Sequence, residues 1–457
     1  MLETLLLPDL REMIESSDER GLHEFCEAFY PGVTANILSH LTPEEISKVL
    51  DKCHVSRKAE ILPFLPIEMQ VDIVEHMDRT DLSRLIEEMA ADDRVDLLEQ
   101  MEPEHVEILL PLIAQAERRD IRKLLSYPDE SAGSIMTTDY ASLPKNITVK
   151  EAIAKLRLQA PNRETIYYIY IIDEERHLLG FVSLRNLILA NPEARLADIM
   201  QRDMISVKVD DDQEDVAHVI NRYDFIAIPV VDQDNRLVGI VTHDDAVDVL
   251  HYEAQEDQEL LVGVQPLEEN YLSEPIFTLA RKRGVWLIVL LFAAVLTAKV
   301  FQYFHDTVEQ GAPTTLVDRI LMFLPLVLAC GGNAGSQSAA LVISYLSALD
   351  REVKKFSVRD FWKIMGREVL VGGMIGMTLS TIAFVMSYWL LWMAAPPIVV
   401  SGTVFIVIMI STSLGALLPI IFHHYDFDPA LMSTPLIAAM MDMIGVVVLF
   451  NMARLMG

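Results

Sequence analysis

The chain has 457 residues, enough for two or three domains, and 51% of them are hydrophobic although the formal charge is -30. Residues 1–280 hold 57 of the 67 acidic and 25 of the 37 basic residues, a balance of -32 that leaves the remainder near +2. An acidic soluble part joined to a neutral apolar part excludes a single globule, and it excludes a nucleic-acid binder because such a surface repels phosphate.

The opening residues, MLETLLLPDLREM, place acids where a cleaved signal needs a basic segment, and Pro8 breaks their apolar run, so no leader is expected. Cys26, Cys53 and Cys330 are too few and too scattered for a disulfide framework or a zinc site. Reduced cysteines serving as packing residues are expected. From about residue 20 to 126, apolar residues recur at three- and four-residue spacing between polar caps, as in LTPEEISKVLDK and TDLSRLIEEMA. Thr42, Pro43 and Glu45 combine an N-cap, a first-turn proline and a capping-box carboxylate. The spacing predicts a wound stack of short helices, an all-α superhelical domain.

Residues 136–250 carry a second kind of duplication, in which MTTDYASLPKNITVKEAIAKLR…IYYIYIIDEERHLLGFVSLRNLI is echoed by MQRDMISVKVDDDQEDVAHVINRYDFIAIPVVDQDNRLVGIVTHDDAV. Each copy reads as a short strand, a helix, and two strands joined by a turn (Asp173 to Gly180, Asp232 to Gly239) that lead into a helix. By itself the echo means a duplicated α/β unit. Its pattern resembles a tandem pair of CBS domains, whose family folds as one α/β module that often binds a nucleotide or an ion.

Residues 237–280 contain ten carboxylates and no Lys or Arg, and seven of the ten fall in HDDAVDVLHYEAQEDQE. Apolar residues recur among them, which predicts an amphipathic helix. Glu253, Glu256 and Asp257 stand at i, i+3 and i+4 and so share a face. Folding that face against other acidic surfaces requires a counter-charge, and a hard cation such as Mg²⁺ or Ca²⁺, which takes oxygen ligands, fits. The competing reading is an acidic helix open to solvent.

After RKRG at 281–284 come five apolar stretches, Val285–Phe304, Ile320–Leu346, Val369–Met393, Val399–Phe422 and Ala430–Leu455, each long enough to cross a core of about 30 Å. Arg281 to Arg283 precede the first, and Arg351, Lys354, Lys355, Arg359 and Lys363 separate the second from the third. By the positive-inside rule both clusters face the cytoplasm, which puts the soluble part and the N-terminus inside and the C-terminus outside. Asp442 lies halfway along the fifth stretch, and an intramembrane carboxylate with no base within a turn or two reads as a cation ligand facing water. Pro435 is expected to free the Leu431 carbonyl and loosen the backbone near it, and Ala438, one turn before Asp442, allows close helix approach. In the second stretch ACGGNAGSQSAA reads as irregular backbone lining water, with Asn333 and Gln337 on its polar side. Close packing through its small residues is the alternative. His423 and His424 end the fourth stretch, where paired histidines commonly sit at the interface.

RKRGVWL, GGNAGSQ, GALLP and DPALMSTPLIAAMMDMIG, in this order, resemble the MgtE family of magnesium transporters. The resemblance implies a helical N domain (1–130), a CBS pair (131–251), a connecting plug helix (252–280) and a five-helix membrane domain (281–457). It also implies a homodimeric Mg²⁺ channel in the cell membrane, shut when cytoplasmic Mg²⁺ binds, and not an enzyme. By motif, Asp442 and the Ala438 carbonyl look like the Mg²⁺ site of the pore, with Gly332 and Asn333 lining it. Ala439 stands where the family often has threonine, and so lacks its hydroxyl. Asp245, Asp248, Glu253, Glu256 and Asp257, with Asp212, Glu214 and Asp224 of the second CBS copy and Asp92 and Asp93 of the N domain, look like regulatory Mg²⁺ ligands. The family's CBS pair can hold ATP, and Asn186 stands where an aspartate is usual after Arg185, so ATP stays an open alternative. A secondary divalent-cation transporter is the rival function, although no inverted repeat is visible among the five stretches. An anion pore would want basic residues along the path, and Lys299 and Arg319 lie only near span ends.

Overall fold

Short helices form where a polar cap meets an apolar repeat. Thr42 accepts a hydrogen bond from the Glu45 N–H (3.3 Å) while the Glu45 carboxylate accepts from the Thr42 N–H (3.0 Å), so both orphan donors at this helix start are satisfied. Asp18 and Asp78 cap two further helices, each accepting from one backbone N–H of the first turn. The computed structural model describes residues 2–267, 275–309, 319–351, 356–391, 395–425, 427–429 and 434–456. It divides into two units, Met1–Val247 and Asp248–Gly457.

In the first unit, helices from Leu2–Ser16 to Gln115–Leu124 stack around a continuous apolar core that includes Leu38, Ile46, Ile61, Leu85 and Leu97. Cys26 and Cys53 correct the expectation of reduced, separate cysteines, because Cys26 on the helix Glu19–Ala28 and Cys53 in the turn after the helix Pro43–Leu50 stand with their Cα atoms 6.1 Å apart and the pair forms a disulfide. Their separation of 27 residues in sequence hides that closeness.

The duplicated region folds as read. β1 (Tyr140–Pro144), β2 (Thr165–Ile172) and β3 (Leu178–Ser183) form one sheet, and β4 (Val207–Lys208), β5 (Ala227–Val231) and β6 (Leu237–Thr242) form another. In each, the first pair is parallel and the second antiparallel. The turns match in detail: Asp173 accepts from the N–H groups of Glu175 and His177, and Asp232 from those of Asp234 and Arg236. The two copies share a core of Tyr140, Tyr170, Ala227, Leu237 and Ile240, and the Tyr140 hydroxyl donates to the Leu237 carbonyl at 3.1 Å. They fold as one module.

The connecting helix, His243–Leu261, runs from the first unit into the second. Among the described residues five helices there are long and apolar enough to span a membrane: Ile276–Glu309 (span 1), Leu324–Arg351 (span 2), Val358–Leu391 (span 3), Ala395–His424 (span 4) and Thr434–Met456 (span 5). They extend past the apolar stretches because flanking polar residues continue the same helices. RKRG lies inside span 1, and span 3 starts eleven residues before Val369. Lys354, Lys355 and Leu431 lie outside the described residues.

One expectation about the membrane backbone is corrected. Gly331 to Ala340 form continuous helix, not irregular backbone. The small residues serve packing instead: a Cβ on Gly415 of span 4 would overlap the Gly335 carbonyl of span 2, and the Ser411 hydroxyl donates to the Gly331 carbonyl. Pro435 lies in the first described turn of span 5, and the Leu431 carbonyl it was expected to free lies outside the described residues.

Candidate functional site

Acidic side chains converge at one place in the first unit. The helix Ala91–Gln100 supplies Asp92, Asp93 and Asp96, and the start of the connecting helix supplies Asp244 and Asp245. Glu164, at the start of β2, joins them. Burial and the neighbouring carboxylates push Asp92 up to about 8 and Asp93, Asp96 and Asp245 up to about 7. Glu164 is raised for the same reasons. The Thr242 hydroxyl hydrogen-bonds Asp245, which offsets only part of that rise. The nearest base in sequence, Arg94, is buried and turned 3.8 Å from Asp139, a carboxylate it shares with Arg163.

Asp92 Oδ1 is buried with no hydrogen-bond partner. Asp93, Asp96 and Glu99 line a cavity of about 390 Å³ with Pro63, Leu65 and Gln70. Asp96 keeps exposed area because that cavity is open on one side. Among the described residues no three His, Cys, Asp or Glu side chains are placed to hold a metal ion directly. Charge surplus, an orphaned carboxylate oxygen and open volume fit a hard cation held partly through its own water.

The pH response follows from these shifts. Carboxylates raised above their ordinary value bind protons more tightly in this arrangement than when the surfaces part. The arrangement is therefore favoured at low pH and loses stability as pH rises from about 4 to about 8. Without divalent cations, protease protection of residues 1–247 should fall between pH 5.5 and 8 in solution, roughly the window of these shifts. A divalent cation should restore protection at pH 8 and be needed at lower concentration at pH 6. Protection independent of pH would contradict the assignment.

The other residues read as sensor ligands fall in separate places. Asp212 caps the helix Gln213–Tyr223, accepting from the Glu214 N–H at 2.8 Å, and Glu214 lies 3.3 Å from His218. Asp224 ends the same helix in the left-handed conformation (φ 53°), about 16 Å away along eleven residues of helix. These three cannot share one ion. On the connecting helix Glu253, Glu256 and Asp257 are half-buried on one face and Asp248 is exposed. Glu256 lines a cavity of about 540 Å³ with Trp286 of span 1 and Asp428, which precedes span 5. Asp428 was missed because DFDP lies far along the sequence from the acidic run. Glu164 was missed likewise, since only the fold brings it to Asp244.

In the membrane part, Gly332 of span 2 packs on Ala438 of span 5, a built Cβ standing 3.4 Å from the Ala438 Cβ. Asp442 follows one turn later and is half-buried. Asn333 and Gln337 share an exposed face of span 2, opposite the stripe of Gly331, Gly335 and Ser338 buried against span 4. The Ser336 hydroxyl donates to the Thr434 carbonyl (3.0 Å), and the Thr434 hydroxyl donates to the carbonyl of Leu261 (3.0 Å). These two bonds tie the end of the connecting helix to the start of span 5 and to span 2. His423 packs edge-on to Phe356 at 5.8 Å, which suits an interfacial role.

A third feature is a cavity of about 330 Å³ between the two CBS copies, lined by Tyr168, Tyr170, Phe181, Met204, Phe225 and Pro229 among others. Its aromatic walls suit a flat ring. Asn186 and Arg185 lie on the helix Leu184–Leu189, after β3.

Three comparisons bear on these features. Residues 324–452 match the family model of a divalent cation transporter, MgtE, residues 29–130 match the MgtE intracellular N domain, and residues 132–193 and 196–252 match CBS domains. The chain is similar to the magnesium transporter MgtE of Thermus thermophilus, 34% identical over 100% of this chain and 99% of that protein. It is similar also to the magnesium transporter MgtE of Bacillus subtilis, 35% identical over 92% of this chain and 87% of the other. Among solved structures, the cytosolic domain of the Mg²⁺ channel MgtE in complex with ATP aligns with a TM-score of 0.51 and 37% identity, over 53% of this chain and 100% of that one. The soluble part of a magnesium transporter aligns with a TM-score of 0.52 and 35% identity, over 55% and 99%.

Proposed function

Because the chain belongs to the MgtE family, a multi-pass membrane family, we propose that it carries Mg²⁺ across the membrane through a pore that cytoplasmic Mg²⁺ closes. The observation that carries the gating part is the carboxylate cluster around Asp92, Asp93 and Asp245, which stays together at neutral pH only when protons or cations offset its charge. Mg²⁺ binding there favours the compact state, and loss of Mg²⁺ lets like charges push the acidic surfaces apart. The Leu261–Thr434–Ser336 hydrogen bonds give that change a route to spans 5 and 2.

The division into 1–130, 131–251, 252–280 and 281–457, the cytoplasmic N-terminus and the external C-terminus belong to this reading. So does the homodimer. The exposed Asn333 face and the half-buried Asp442 leave the ion path open on one side of a single subunit, and a two-fold axis would close it with the same residues. The aromatic CBS cavity supports an adenine nucleotide as a second regulatory ligand.

Flux in liposomes tests the function. With Mg²⁺ clamped on the side of the soluble part, Mg²⁺ should enter down its own gradient with no partner ion and be suppressed as the clamp is raised. Flux that requires a proton or sodium gradient would replace the channel with a coupled transporter.

A further inference from the structure

Beyond Asp442, span 3 carries a second inward carboxyl. Glu368 ends the polar first part of span 3, which also carries Arg359, Asp360, Lys363 and Arg367, and it directly precedes the apolar stretch that begins at Val369. A carboxylate at this boundary is free to face water or the basic residues around it, so one that turns into the protein calls for a polar partner there. Its neighbour Arg367 is exposed, whereas Glu368 is half-buried and turned to span 2.

There Glu368 Oε2 stands 2.7 Å from the Ser338 hydroxyl, which is also 2.8 Å from the Thr412 carbonyl of span 4. Ser338 and Thr412 are each 3% exposed. One turn beyond Glu368, a Cβ on Gly372 would overlap Thr412, so span 3 lies close against span 4 at this level. Ser338 thus joins three spans at one buried point.

Ser338 sits on the same stripe of span 2 as Gly331 and Gly335, at i, i+4 and i+7. Asn333 and Gln337 occupy the opposite, exposed face. The glycines bring the backbones of spans 2 and 4 into direct contact and offer little sideways grip, so a slide or rotation of span 2 passes straight to Asn333 and Gly332. A directional hydrogen bond at Ser338 opposes that movement.

We propose that Glu368 is a positioning residue of the ion path, fixing the Asn333 face of span 2 through the Ser338 hydroxyl, whose single proton is shared between the Glu368 carboxyl and the Thr412 carbonyl. The inference rests on the Mg²⁺-transport reading, and Glu368 itself does not touch the ion. Glutamine can replace it, because the amide can still accept from or donate to the Ser338 hydroxyl. Leucine cannot.

The test measures Mg²⁺ flux into liposomes as a function of Mg²⁺ on the side away from the soluble part, alongside the amount of folded, inserted protein. Glu368→Leu and Ser338→Ala should each raise the half-saturating Mg²⁺ at least fivefold at equal protein, whereas Glu368→Gln should stay within twofold of wild type. Maximal flux that falls only in proportion to folded protein, with half-saturation unchanged, would overturn the proposal and leave a structural role. Wild-type flux in the same vesicles checks the transport reading separately. A transport-free arm measures thermal stability in detergent for Ser338→Ala, Glu368→Leu and the double variant. Non-additive losses are expected for a direct bond, and strict additivity overturns it whatever the flux shows. Should Glu368→Leu fail to fold, Ser338→Ala decides: unchanged half-saturation in that variant overturns the assignment.

Discussion

Asp442→Asn should lower Mg²⁺ flux by about tenfold or more, the equivalent of about 1.4 kcal/mol of lost ion stabilisation, while the protein still inserts and pairs. Asparagine keeps the shape of the side chain and removes its charge. Mg²⁺ gives up water reluctantly, so the site acts on the hydrated ion and depends on charge more than on direct ligation. The Gly332–Ala438 packing sets how close span 2 comes to that carboxylate, and it is untouched by the substitution. Two such carboxylates across a dimer axis repel unless a cation lies between them, which favours a divalent over a monovalent ion. Asp442→Glu should also impair flux, because the longer chain keeps the charge but narrows the path. Flux is measured with a Mg²⁺-sensitive dye in liposomes, and dimerisation by size-exclusion chromatography with light scattering. Normal flux in a well-folded Asp442→Asn dimer would falsify the pore assignment, and full activity from a monomer would remove the dimer axis.

Local signals made most of the fold legible. The Thr42 capping box, the repeated Asp173 and Asp232 turns and five apolar runs each depend on residues within a few positions of one another, and each is present as read. What stayed hidden depends on contacts between distant segments. Nothing near Cys26 announces Cys53, and Glu164 gains its significance only where β2 begins beside Asp244. The glycine stretch misled for a different reason: small residues are equally compatible with loosened backbone and with tight helix contact, and only the facing Ser411 and Gly415 decide for contact. Glu368 was passed over because it stands among the charged residues just before the apolar stretch that begins at Val369, and only the fold turns it to Ser338, 30 residues away. Among the acids that the resemblance implies as sensors, Asp212 and Asp224 stand at opposite ends of the helix Gln213–Tyr223, a separation that a motif does not show.

Neutralising Asp248, Glu253, Glu256 and Asp257 together should flatten the dependence of flux on cytoplasmic Mg²⁺. The half-inhibitory concentration should move by about tenfold or more, which corresponds to about 1.4 kcal/mol of lost linkage. A ligand shifts a conformational equilibrium only through its different affinity for the two states, and these side chains supply oxygen ligands along one helix. Three of them share a half-buried face, and Glu256 opens onto the cavity that Asp428 also lines. Replacing carboxylates by amides removes both the repulsion that Mg²⁺ offsets along this helix and the charge that binds it, so the two states lose most of their difference in Mg²⁺ affinity. The Asp92, Asp93 and Asp245 cluster remains in this variant and should leave a residual response, weaker and displaced toward low pH, where protons take the place of the cation. Limited proteolysis of the full chain gives an independent readout. Wild type should gain protection as Mg²⁺ rises into the millimolar range, and the fourfold variant should need about tenfold more Mg²⁺ for the same protection. A variant whose flux remains as steeply Mg²⁺-dependent as that of wild type would mean that the connecting helix is no sensor, and that the cluster near Asp92 carries the regulation alone.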